Sequence, residues 1–106
     1  MDGEYYESGG LRWGSSYWLS ANATFPFGKI WIDDEKIVIE VDLLVKKRRF
    51  DFPKEAIQRL AMKRALMGKG LVIQHSVEDY PRFVLFWTFS FPRLKSNLEQ
   101  RGYTVD

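Results

Sequence analysis

The chain has 106 residues, 45% of them hydrophobic and 28% charged, and no cysteine. Such a length fits one domain that buries roughly two-thirds of its unfolded surface; within it a multi-domain enzyme, a disulfide framework, a thiolate metal site and a cysteine nucleophile are excluded. Sixteen basic against fourteen acidic residues leave a net charge of +2, which argues against a uniformly basic nucleic-acid binder. Aromatic residues make up 16% of the chain, a composition suited to half-buried strands.

The first residues are acidic and lack the apolar stretch of a secretory signal. The longest apolar run, residues 83–87, falls far short of the roughly 20 residues of a membrane helix. The expectation is a cytoplasmic protein, at most peripheral to a membrane. Residues 1–14 hold four of the eight glycines and little periodic hydrophobicity, so they read as a flexible tail, with the domain over 15–106. Residues 17–25 form a strand candidate that stops at Pro26, and Gly28 restarts the chain. Ile30, Ile32, Ile37, Ile39 and Val41 alternate around the acidic turn Asp33-Asp34-Glu35, the pattern of a hairpin with one buried face. Phe50 and Phe52 alternate in a fourth strand that ends at Pro53.

Residues 54–67 imitate a helix, with Pro53 before them and Gly68 after. At 100° per residue no apolar stripe emerges, whereas at period two Leu60, Met62 and Leu66 share a face. The expectation is a strand entered by one helical turn at residues 53–56. Two further strands, 71–75 and 83–87, flank the polar loop 76–81. In the tail, Phe91, Leu94 and Leu98 stand three and four apart, Pro92 suits a first helical turn, and Gly102 suits the position just past a helix end. The tally is seven antiparallel strands and one C-terminal helix, with Phe50, Phe52, Phe83, Leu85 and Phe91 as core.

Taken in order, the Phe52-Pro53-Lys54-Glu55-Ala56-Ile57 junction, Gly68-Lys69-Gly70-Leu71-Val72-Ile73-Gln74-His75, Phe83-Val84-Leu85-Phe86-Trp87 and the closing Leu94-x-x-x-Leu98-x-x-x-Gly102-Tyr103 resemble pleckstrin-homology-like domains, particularly the GRAM and bacterial PH-like branches. The resemblance implies a mostly β fold, a PH-like bent β-sandwich or barrel whose open end is plugged by the C-terminal helix. It also implies a binding module without catalytic machinery, for phosphoinositides, peptides or partner domains. Phosphoinositide-binding members carry several basic residues around the first hairpin, where residues 25–29 offer only Lys29.

Charge is unevenly spread: residues 1–45 hold 3 basic and 8 acidic groups, residues 46–64 hold 8 and 2, and residues 65–106 hold 5 and 4. The densest element, Lys46-Lys47-Arg48-Arg49, falls at the connection between the third and fourth strands. With Lys29 it forms a candidate anion site for a headgroup, a phosphate or an acidic peptide; the plain alternative is a solvated basic turn guarding a strand edge. Single-stranded nucleic acid, stacked on Phe50 and Phe52, is a minor alternative, because alternation with Asp51 turns both rings to the core. His75 is the only histidine. It lacks a neighbouring nucleophile or ligand set, and Glu78 or Asp79 in the next loop would cap its ring. No enzyme signature, cofactor motif or metal-ligand spacing is present. Trp31 alternates with Ile30 and Ile32, so one set faces away from the core; Trp31 with Trp18 forms the candidate partner interface for a protein or for self-association.

Overall fold

The structure is a computed structural model describing residues 4–16, 19–43, 46–65 and 68–106, with Lys46 described in its backbone alone. Seven strands, β1 (Tyr5–Gly14), β2 (Ser20–Ile32), β3 (Lys36–Leu43), β4 (Lys46–Pro53), β5 (Ile57–Arg64), β6 (Lys69–His75) and β7 (Phe83–Thr88), precede helix α1 (Phe91–Gln100). They form one antiparallel sheet in the order β4-β3-β2-β1-β7-β6-β5. Although β4 and β6 stand far apart in that order, the rings of Phe52 on β4 and His75 on β6 lie 4.7 Å apart. The sheet therefore curls into a half-barrel, and α1 closes it through Phe91, Leu94 and Leu98. This is the mostly β, PH-like arrangement expected from the sequence.

Two expectations at the start of the chain are corrected. Residues 5–14 are no tail: they form β1, which pairs with β2 on one side and β7 on the other. Its core-facing row reads Tyr5, Glu7, Gly9, Leu11 and Trp13, so glycine and a carboxylate erase the alternation by which a strand is recognised. Glycine is required here because the ring of Trp87 occupies the space where a Cβ on Gly10 would stand. Second, β2 is one strand rather than two. Between the paired positions Ala23↔Leu11 and Gly28↔Gly9, β2 advances five residues while β1 advances two. The excess, which includes the cis Phe25–Pro26 peptide, is absorbed as a bulge rather than a break. The count of seven strands thus holds with a different first pair.

Further along, periodicity reads well. A 3₁₀ turn over Lys54–Ala56 leads into β5, as the period-two reading of that segment requires. Leu60 is buried, Met62 on the same face reaches solvent toward the strand end, and Leu66 lies outside the described residues. Gly102 follows α1 at φ +88°. There its amide donates to the Glu99 carbonyl and that of Tyr103 to the Leu98 carbonyl, the paired bonds of a Schellman closure. The core holds Phe50, Phe52 and Phe91, but Val84 and Phe86, not Phe83 and Leu85, face it from β7. Leu85 is buried on the opposite face, where a Cβ on Gly70 would meet its Cδ1 at 2.5 Å. Five consecutive apolar residues carry no alternation from which to choose a face.

Candidate interaction surface

The basic run lies within β4 rather than at a connection. Lys46 pairs with Leu43, so residues 44–45, outside the described residues, are all that separates β3 from β4. Strand alternation divides the run between two faces. Arg48 shares the side of Phe50, its guanidinium 5.2 Å from that ring. Lys47 and Arg49 point outward among carboxylates: Lys47 Nζ lies 4.0 Å from Asp42, and Arg49 Nε donates to Asp51 Oδ1 at 2.8 Å. Hydrogen bonding to Asp51, with the charge of that carboxylate, raises the Arg49 pKa above its ordinary value. Lys29, on β2, stands opposite Glu40, which stands opposite Arg49. Lys29, Lys47 and Arg49 therefore share their face with Glu40, Asp42 and Asp51, a checkerboard of exposed pairs that solvent and salt screen. The side chain of Lys46 is outside the description.

Trp31 takes the outer face, because Ile30 and Ile32 are fully buried in the core. It is half-buried, with the Tyr6 ring 5.2 Å away and Val38 beside it in register. Glu4, Trp31, Lys36, Val38 and Arg49 line a shallow depression of about 170 Å³ there. Trp18 and Tyr17 lie outside the described residues.

His75 is buried and both ring nitrogens are engaged by backbone. The Val77 amide donates to Nδ1 at 3.1 Å, and Nε2 lies 2.8 Å from the Pro81 carbonyl, which fixes the Nε2–H tautomer. Backbone of the 76–82 loop, rather than Glu78 or Asp79, caps the imidazole. The same loop places Tyr80 against Phe50 and Phe52, and its hydroxyl accepts from the Asp51 amide on β4. A second buried polar group, Glu7, accepts from Tyr5 Oη at 2.5 Å and from the Thr88 hydroxyl, which itself accepts from the Ser90 amide at the start of α1. It ties β1, β7 and the helix together. Burial and then the hydrogen bond to Glu7 push the Tyr5 phenol up to about 12. Among the described residues, no group of three or more His, Asp or Glu side chains is placed to hold a metal ion.

A further exposed aromatic surface lies elsewhere. Phe25 and Phe27 on the bulge of β2, and Phe89 just after β7, are 45%, 41% and 59% exposed. The Phe25 and Phe89 rings stand 5.7 Å apart, and Phe89 meets the buried Trp87 edge-on at the same distance. Beside them Ser8, Pro26, Phe27, Lys29 and Asp42 line a groove of about 420 Å³. Position-by-position reading missed this cluster, yet a signal existed. Residues 13–28 and 83–92 are the two longest stretches without a charged side chain, and they meet at the Phe25–Phe89 contact. A comparison with protein-family models and with curated proteins finds no match to this chain.

Proposed function

We propose that the chain is a non-catalytic interaction module of the PH-like kind, binding a protein partner through the face built by Phe25, Phe27 and Phe89. The observation that supports this reading is the exposure of Phe25, Phe27 and Phe89, two of them in ring contact, where two uncharged stretches of the chain meet, the composition of an interface core rather than of ordinary solvated surface. Trp31 stands on the outer face of β2, two positions beyond Lys29. Peripheral binding of anionic headgroups through Lys29, Lys46, Lys47, Arg48 and Arg49 is the weaker reading, since Glu40, Asp42 and Asp51 are interleaved with three of those cations. No helix among the described residues is long and apolar enough to cross a membrane.

The test immobilises the wild type and the double variant Phe25→Ser/Phe89→Ser and compares the proteins each retains. The expected result is a partner retained by the wild type and lost from the variant; retention of one identical set by both overturns the reading. Sedimentation with neutral and anionic vesicles decides the weaker one, which predicts binding only to anionic lipid, weakened by salt.

A further inference from the structure

Among the described residues, three of the strand edges left by the curled sheet are treated differently. On β4, the edge carries Lys46, Lys47, Arg48 and Arg49, and the Asp51 amide is capped by Tyr80. The β5 edge carries Arg59, Lys63 and Arg64 and is covered by the C-terminal residues: Leu60 bridges Val105, the Met62 amide donates to the Asp106 carbonyl at 3.0 Å, and the Asp106 amide donates to the Leu60 carbonyl at 2.8 Å. Charge and coverage are usual protections against edge-to-edge pairing, as are bulges and proline, which on β2 fall between Ala23 and Gly28. The third edge is the first half of β2. β3 pairs only with Gly28 to Ile32, and among the described residues no strand lies against residues 21–27 on the side away from β1. Ala21, Asn22, Thr24, Phe25, Pro26 and Phe27 are all exposed, and none is charged. The Phe25–Phe89 cluster adjoins this edge.

We propose that the partner of this face is a second copy of the chain, whose β2 adds antiparallel to residues 21–25 across a two-fold axis. The inference rests on the interaction reading above and names its partner. Charge carries it. Pairing β4 or β5 with itself would set like charges against one another, at a cost of several kcal/mol. An uncharged strand sets none, and it offers nothing by which a charged peptide would be recognised. A net charge of +2 leaves little long-range repulsion between copies. The isologous contact buries the unpaired backbone groups of both strands together with the phenyl rings beside them.

Sedimentation equilibrium up to about 1 mM protein tests the proposal. The wild type is expected at twice the 12.5 kDa chain mass, with amides 21–25 gaining hydrogen-exchange protection as concentration rises. Ala21→Lys/Thr24→Lys, which places like charges on the shared edge, is expected to weaken the dimer at least about a hundredfold. Gln58→Lys, an exposed change on β5, is expected to leave it intact. A monomer at every concentration overturns the proposal, as does a dimer equally tight in the folded edge variant. Should the edge variant not fold, exchange in the wild type decides alone: concentration-independent protection overturns the proposal. A monomeric wild type leaves the interaction reading standing, which fails separately if Phe25→Ser/Phe89→Ser retains the same partners as the wild type.

Discussion

Tyr5 gives its hydroxyl proton to buried Glu7 on the same strand, and the other carboxylate oxygen of Glu7, accepting from Thr88, links β1 to β7 and to the start of α1. Ionising the phenol would break the donor role and set two negative charges together, so the fold favours the neutral form. Its folded pKa of about 12 lies above the unfolded value near 10. The contribution is therefore fully present below pH 10 and is lost as pH rises from about 10 to about 12. Tyr103 shifts in the same direction through burial and the nearby charges of Asp33 and Asp34. Urea unfolding across that window is expected to show stability falling with pH, and Tyr5→Phe is expected to flatten the fall. An unchanged slope in the variant would remove Tyr5 from the account. At this scale the sequence hid Glu7, because a carboxylate in a glycine-rich stretch resembles solvated chain until Thr88, 81 residues away, is brought to it.

The elements divide by the kind of signal that specifies them. The β2–β3 hairpin was legible because Ile30, Ile32, Ile37, Ile39 and Val41 all obey period two and all enter the core, as do Phe50 and Phe52 on β4. Helix α1 was legible from its three- and four-residue spacing and from Gly102, whose positive φ realises the closure that glycine favours. β1 was not, since Gly9 and Gly10 have no side chain with which to keep a pattern. Gly10→Ala tests whether that strand needs glycine at this position: the new methyl group would enter the Trp87 ring. The expected loss is about 2–3 kcal/mol of unfolding free energy, read from denaturant titration with tryptophan fluorescence. A neutral outcome would mean that Trp87 rotates away at little cost. β7 shows the complementary ambiguity, with every residue from 84 to 88 buried and only the neighbouring strands deciding which face is which.

For the molecule as a whole, the aromatic face separates stability from association. Phe25 and Phe89 are largely exposed and outside the core cluster. Phe25→Ser/Phe89→Ser is therefore expected to change unfolding free energy by less than about 1 kcal/mol while abolishing partner retention. A large loss of stability would recast the rings as part of a second packed layer over Trp87. Local information alone determined the class of the fold: alternation sets the strands, a change of period sets the helix, and turn residues set their ends, all within windows of a few residues. Tertiary structure alone decided three things. It set β1 in the middle of the sheet, it interleaved the basic run with Glu40, Asp42 and Asp51, and it joined the two uncharged stretches at Phe25 and Phe89. Each depends on which strand lies beside which and in what register, and that pairing is selected by burial across the whole sheet rather than by any segment's own pattern.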